Sequence, residues 1–410
     1  MQGLMMNVPL LITDIMRHAE RCHGDTEVVS FTVDDPRHRT TLREVFRRSR
    51  KLANALARAG VGIGDRIGTL AWNDYRHLEL YYGVSCMGAV LHTVNPRLFP
   101  EQVAYIVNHA EDRLLFVDPL ILPLIEKLRP ALKSVEQVVV LTDDAQLPKS
   151  ALEGLVSYEA FIGEEPDTFD WPDLDENTAS SLCYTSGTTG NPKGVLFSHR
   201  STVLHNYAAL LGDALGCTRR DTMLVVVPMF HANAWGEPYA APSVGTKMVL
   251  PGPKMGDGAT LAALIKEEAI TLAAGVPTVW QLLLNHARES NIKLDPLRRV
   301  SVGGSACPLA IMEEFRERHG AEDEAERAEQ HAGEQPHAAR DRVPTTHQVG
   351  RGDAATHGHG RGEHQRGSAE RSQDEQDGQC EDYPEGQGPH ASHGFPFRWV
   401  GLPVWLVSAT

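Results

Sequence analysis

The chain has 410 residues, a formal net charge of −15 at pH 7 and 41% hydrophobic residues. At about 150 residues per domain, that length predicts two or three domains with enough apolar material for a real core. The acidic balance, 54 Asp and Glu against 39 Lys and Arg, argues against a nucleic-acid or anionic-membrane surface and leaves small anionic ligands open. The 6 cysteines are scattered with no Cys-x-x-Cys pair, which excludes a disulfide scaffold or zinc ribbon and points to a reducing, cytoplasmic compartment.

Residues Met1 to Met16 lack a basic leader and are interrupted by Asp14, so a buried helix starting near Pro9 is expected rather than a targeting segment. Residues 41–59 place Leu42, Val45, Phe46, Leu52, Ala53 and Leu56 at helical spacing. Thr41 and Glu44 predict a capping box there, and Gly60 a stop. Strands are expected at 66–72 and 89–94, around a helix over 74–87 capped by Asn73. Helix 100–109, strand 113–118, helix 120–132 and strand 135–141 continue the pattern, and the acidic residues 163–176 read as a surface connection. Beyond it come strand 180–184, helix 199–215, strands 222–228 and 246–250, helix 259–268, strand 270–275, helix 277–288, strand 298–303 and helix 308–318.

Strands that are apolar on both faces and alternate with helices predict an α/β fold of parallel sheets flanked by helices. The expected division is a first α/β subdomain over 1–175 and a second over 176–320. Residues 321–410 form a separate tail. From 321 to 390 there is no Ile, Leu, Met, Phe, Trp or Lys, and 16 acidic against 7 basic side chains supply −9 of the total charge. Such a tract cannot bury enough apolar surface to offset its chain entropy, so disorder is expected over 321–394. The apolar stretch from Phe395 to Val407 is too short for a membrane span. His347, His357, His359 and His364 fall in or near one cluster, but without a rigid surround they do not predict a metal site.

The densest chemical signal is Tyr184-Thr-Ser-Gly-Thr-Thr-Gly-Asn-Pro-Lys193-Gly, directly after an apolar strand. Glycines let backbone N–H groups turn toward an anion, hydroxyls donate further bonds, and a lysine adds positive charge, which suits a pyrophosphate or triphosphate. It is not the loop of P-loop NTPases, because Lys193 is followed by Gly194 rather than by Ser or Thr.

This string resembles the signature of the AMP-forming adenylating superfamily, which contains the acyl-CoA synthetases. Gly60-Val-Gly-Ile-Gly-Asp65-Arg, Gly88-Ala-Val-Leu-His-Thr-Val-Asn95-Pro-Arg-Leu and Phe197-Ser-His-Arg200 look like further motifs in the expected order. So do Val227-Pro-Met-Phe-His231-Ala-Asn-Ala-Trp235-Gly and Gly303-Gly-Ser-Ala306. The resemblance covers about residues 1–320 and is nearest to bacterial medium- and long-chain fatty-acid–CoA ligases. It implies the large N-terminal domain of an adenylate-forming enzyme, with ATP, Mg²⁺ and CoA as nucleotide, metal and co-substrate and a fatty acid as acyl substrate. In the implied reaction, acyl-AMP forms first and CoA then displaces AMP.

Carried over to this sequence, Thr185, Ser186, Gly187, Thr188, Thr189, Gly190 and Lys193 would bind the β- and γ-phosphates, with Thr185 also touching the metal. Gly303, Gly304, Ser305 and Ala306 would flank the adenine. His231 would sit beside the reacting carboxylate and Trp235 at the mouth of the acyl channel. Each has a bland alternative: His231 as a hydrogen-bonded core histidine, Trp235 as a core filler, Gly303 and Gly304 as a tight turn. Cys307 has no base placed for it and reads as a small apolar filler.

The pattern stops after Gly320. The Gly-Met-Thr-Glu-like string, the Thr-Gly-Asp string and the small C-terminal domain with its catalytic lysine are not found, and Lys293 is the last lysine in the chain. A truncated, strongly impaired ligase is therefore expected, with a non-catalytic nucleotide- or acyl-binding protein carrying an acidic interaction tail as the alternative. The tail's composition is what an out-of-frame reading of GC-rich DNA gives, so a reading-frame shift just after Gly320 is expected. Translation of the other two frames beyond that codon tests it. A homodimer is compatible with the sequence but not specified by it.

Overall fold

The computed structural model describes residues 3–185 and 191–323. The expectations of disorder and of no metal site in the tail beyond 323 lie outside the described residues. The chain opens on α1 (Ile12–His23), which turns Ile12, Ile15, Met16 and Ala19 into the core. Two short strands unread in the sequence follow, β1 (Glu27–Ser30) and β2 (His38–Thr41). Helix α2 (Leu42–Arg58) buries all six of the apolar residues its spacing predicts. Only half of the expected capping box forms: Thr41 accepts from the Glu44 N–H at 3.3 Å, while the Glu44 carboxylate turns to Arg47 at 2.7 Å.

The next stretch alternates as expected through β3 (Arg66–Leu70), α3 (Tyr75–Cys86), β4 (Val90–Thr93), α4 (Pro100–Ala110), β5 (Leu114–Val117), α5 (Leu122–Leu128) and β6 (Gln137–Val140). Every residue of β4 and of β5 is buried, the signature of strands covered on both faces. All twelve residues of α3 are buried too, Arg76, His77 and Glu79 among them, so this helix is enclosed around its whole circumference rather than along one stripe. Its cap is Asp74, which accepts from the His77 N–H at 2.8 Å. Asn73 is not the cap, because its side chain is fully buried and committed to hydrogen bonds with the opposite sheet.

After β7 (Val156–Ser157) and the short α6 (Tyr158–Ile162) come β8 (Ala179–Thr185), β9 (Lys193–Ser198), α7 (His199–Ala209), β10 (Thr222–Val225), α8 (Glu237–Val244) and β11 (Lys247–Leu250). The described chain closes with α9 (Gly258–Glu267), β12 (Leu272–Gly275), α10 (Pro277–Glu289), β13 (Arg299–Val302), α11 (Leu309–His319) and β14 (Glu322–Asp323). Among the described residues no helix is long and apolar enough to cross a membrane.

These strands make two seven-stranded sheets, in the orders β14-β13-β12-β10-β11-β1-β2 and β7-β6-β5-β3-β4-β8-β9. Each is parallel except for one antiparallel edge pair, β1 with β2 and β8 with β9. Strand pairing does not follow a division at residue 175. β1 and β2 pair within the sheet of the later strands, and β8 and β9 complete the sheet of the earlier ones. Nor does order stop at Gly320: Ala321 is fully buried and β14 pairs parallel with β13, Arg299 opposite Glu322. Tyr81 and Tyr82 of α3 share one apolar cluster with Leu91 and Phe116 of one sheet and with Met223 and Met248 of the other.

Candidate active site

The glycine- and hydroxyl-rich string links β8 to β9 in sequence. Its flanks are paired, with Thr185 directly opposite Lys193. Lys193 is exposed and Thr185 half-buried. Ser186, Gly187, Thr188, Thr189 and Gly190 lie outside the described residues. Tyr184, just before them, bonds through its hydroxyl to His109 Nδ1 at 2.6 Å, and burial pushes its pKa up to about 12. On the adjoining strand β4, the fully buried His92 holds Asp112 through Nδ1 at 2.7 Å, and burial raises the Asp112 carboxyl.

His231 leads into a turn of unusual hand. Ala232, Asn233, Ala234 and Trp235 have φ of 45°, 52°, 49° and 51°, and Gly236 continues at 84°. Four consecutive non-glycine residues thus occupy the left-handed region, each at a cost of about 1–2 kcal/mol. Strain of this kind persists only where the surroundings over-determine it. Here Asn233, a residue type that tolerates this region, is buried and donates from Nδ2 to Ser181 Oγ at 2.9 Å, while its Oδ1 accepts from Cys183 Sγ at 3.4 Å. Ser181 and Cys183 lie on β8, so the turn is tied to the strand that ends in Thr185. The His231 side chain reaches solvent, yet the surrounding walls remove enough hydration to lower its pKa.

The far end of the turn meets the second glycine motif. Gly303 and Gly304 follow β13, and a Cβ on Gly303 would stand 2.7 Å from Trp235 Cη2 and 3.0 Å from Cζ3. A Cβ on Gly304, which has φ +78°, would stand 3.0 Å from Val276 Cγ1 and 3.7 Å from Trp235 Cζ2. The half-buried indole therefore lies flat against this turn. Ser305 and Ala306 continue from it, both exposed. Cys307 packs beside the apolar cluster of the later sheet, in keeping with a filler role.

The structure thus brings Thr185, Lys193, His231, Trp235 and Gly303 to Ala306 onto connected elements, with Asn233 and the Trp235–Gly303 contact as the links. Two neighbours escaped the sequence reading. Asn233 carried one usable hint, its place between two alanines in a string dense with functional residues. Arg97 carried none: its exposed guanidinium stands 5.5 Å from the Trp72 ring and 5.6 Å from the Phe230 ring, beside His231. Among the described residues no group of three or more His, Cys, Asp or Glu side chains could hold a metal ion. Thr185 alone offers one hydroxyl, which does not make a divalent-cation site.

A family model described as AMP-binding enzyme matches residues 15–326. The chain belongs to this family. It is 50% identical over 322 residues to the 3-methylmercaptopropionyl-CoA ligase of Ruegeria pomeroyi, an alignment that covers 78% of this chain and 60% of the relative. It is likewise 50% identical over 322 residues to the medium-chain-fatty-acid–CoA ligase of Ectopseudomonas oleovorans, covering 78% and 59%. Against the long-chain-fatty-acid–CoA ligase of Thermus thermophilus it is 48% identical over 318 residues, covering 78% and 57%. Among solved structures, the anthranilate CoA ligase AuaEII in complex with anthranoyl-AMP superposes with a TM-score of 0.69 at 25% identity, over 79% of this chain and 60% of that one. The chain therefore spans about three fifths of the length of these relatives. Over that span it shares the fold of these relatives.

Proposed function

We propose that the described residues form the ATP- and acyl-binding part of an AMP-forming ligase for medium- or long-chain fatty acids. The observation that carries this reading is the contact of Trp235 with Gly303. It joins the turn that begins at His231 to the turn assigned to the adenine, so acyl and nucleotide ends meet across one indole. In the reaction, a fatty-acid carboxylate oxygen beside His231 attacks the α-phosphorus of ATP. The bond from that phosphorus to the bridging oxygen breaks, and pyrophosphate leaves. Charge builds on the departing phosphates, where Lys193, Thr185 and the loop after it supply positive charge and donors. CoA then attacks the acyl carbonyl through sulfur and AMP departs. A His231 of lowered pKa is neutral near pH 7, which lets it accept or donate one hydrogen bond without drawing the carboxylate into an ion pair.

We assign Ser186 to Gly190 to the phosphates on the strength of their place between Thr185 and Lys193. The cytoplasmic assignment rests on the scattered cysteines. The proposed division into functional units is 1–320 for binding and 321–410 for a tail that takes no part in it. Decanoate-dependent pyrophosphate release by the 410-residue chain, with ATP supplied as its Mg²⁺ complex, tests the reading. We expect binding of AMP and of an acyl-adenylate mimic with turnover that is weak, because Lys293 is the last lysine. Saturable nucleotide binding with no pyrophosphate release at all favours the second reading, a binding protein without catalysis. Absence of any nucleotide binding sinks both.

A further inference from the structure

We propose that Asn73 is a positioning residue for the acyl end of the site, setting where His231 and Trp235 stand. The inference rests on the functional reading above and goes beyond it by naming what aims those side chains. Asn73 is fully buried directly after β3 and Trp72. Its Nδ2 donates to the carbonyls of Val225 and Val227, both at 2.8 Å. Its Oδ1 accepts from the Met229 N–H at 2.8 Å. Its own backbone carbonyl accepts from the Gly252 N–H at 2.9 Å.

The spacing of those partners is informative. Val225, Val227 and Met229 are alternate residues at the point where the chain leaves β10 and turns, and their backbone groups converge on one side chain. β10 ends at Val225, and the segment beyond it has left the sheet ladder. A buried backbone group that leaves a ladder needs another partner. One side-chain amide supplies it three times over and uses both its protons and its oxygen. His231 closes the turn that contains Met229, its N–H donating to the Pro228 carbonyl at 2.9 Å, so the backbone held at Asn73 is part of the turn that delivers His231.

Helix α3 clamps the same stretch at two more points. Tyr81 donates from its hydroxyl to the Met229 carbonyl, and Tyr82 donates to the Pro238 carbonyl at 2.8 Å, just past the left-handed turn. Ser85 of α3 also donates to the Ser180 carbonyl on β8 at 2.9 Å. The buried helix therefore ties the segment entering the turn, the segment leaving it and the strand of the phosphate loop to one rigid body. Asn73 is the first and most fully bonded of these ties.

The test uses the full 410-residue chain with two probes, AMP and decanoyl-sulfamoyl-adenosine, a non-reactive acyl-adenylate mimic. Asn73→Ala should weaken the mimic at least tenfold and change AMP less than twofold. Tyr82→Phe, which keeps the packing and removes only the bond at the far end of the turn, should weaken the mimic three- to tenfold and serves if Asn73→Ala does not fold. Val139→Ala, a core truncation in β6, should lower Tm and change neither affinity. A second readout needs no ligand: the His231 imidazole resonance and its titration should shift in Asn73→Ala and not in Val139→Ala. Equal losses for both probes, or no loss for either, overturn the proposal. Should the wild-type chain bind neither probe, the ligase reading fails; an unmoved His231 titration in Asn73→Ala and Tyr82→Phe then overturns the positioning role separately.

Discussion

The indole of Trp235 lies so close to Gly303 that the glycine has no room for a Cβ: Cη2 would be 2.7 Å away. Gly303→Ala must therefore push the ring off the turn or bend the turn off β13. Either change separates the His231–Trp235 turn from the Gly303–Gly304 turn, the walls we propose for the acyl group and the nucleotide. We expect the variant to bind an acyl-adenylate mimic at least tenfold more weakly than the parent chain in calorimetric titration. Trp235→Leu in the same chain should recover part of that loss, giving a coupling of about 1–2 kcal/mol in a double-mutant cycle. Additive effects of the two substitutions would show that the contact carries no functional load.

The left-handed turn makes a stability prediction of opposite sign to the usual one for glycine. Ala232 has φ 45° and is half-buried. Ala232→Gly removes a strain of about 1–2 kcal/mol and adds about 0.5–1 kcal/mol of unfolded-state entropy. A net gain of a few tenths to about 1 kcal/mol should appear as a higher Tm. Asn233→Ala loses the tie to Ser181 and leaves Cys183 and Ser181 without their buried partner, so it should cost about 2–3 kcal/mol. If Ala232→Gly melts lower than the parent, the turn is not under strain.

The pH dependence of stability follows from buried carboxyls. Burial, with Asp74 and Asp34 close by, pushes Asp118 up to about 7, and burial pushes Asp74 to about 6 and Glu79 to about 7. These groups hold their protons more tightly in the folded chain than in the unfolded one. Their stabilising contribution is complete below about pH 4 and is lost as pH rises through 6 and 7. His77 and His199 act the other way: burial takes both down to about 4, so their contribution stands above about pH 6.5 and fades as pH falls toward 4. Stability should therefore peak in mildly acidic solution. Asp118→Asn keeps the bond from the Leu120 N–H, 2.8 Å in the parent, and removes one titration. Between pH 6 and 8 it should lose about 1–2 kcal/mol less stability than the parent, a few degrees in thermal melts. Parallel slopes for the two proteins would rule out Asp118 as the source.

Lys193 stands exposed opposite Thr185 and is assigned to the outer phosphates. Lys193→Ala should weaken ATP about tenfold, the scale of one hydrogen bond to a charged group, and leave AMP within twofold. Lys193→Arg should keep most of the ATP affinity. A loss shared equally by ATP and AMP would place the lysine elsewhere than on the β- and γ-phosphates.

Much of this was legible beforehand because it is periodic. The face of α2 from Leu42 to Leu56 and the doubly covered β4 and β5 show their pattern directly in the sequence. β1 and β2 did not, since His38 to Thr41 carries no apolar alternation and is held as a strand by its partner on the other side. Asn73 and Asp74 are adjacent residues that can both cap a helix. Local propensity cannot choose between them, and the choice is made by the carbonyls of Val225 and Val227, distant in sequence. At the site, Lys193, His231, Trp235 and Gly303 were readable as motif members. The left-handed path from Ala232 to Trp235 was not, because alanine and tryptophan give no sign of positive φ.

The pairing of β1 with β11 has a consequence for how the molecule is made. Val28 pairs with Thr40 on one side, but its other side waits for Met248, whereas the sheet from β3 to β9 is complete once Ser198 has been synthesised. On the ribosome the earlier sheet can condense while the β1–β2 ribbon still waits for its neighbour, with an unpaired edge open to other chains. The slow step of assembly should be this long-range closure. A nascent chain released before Met248 should therefore carry a paired β8 and β9 beside an unclosed second sheet.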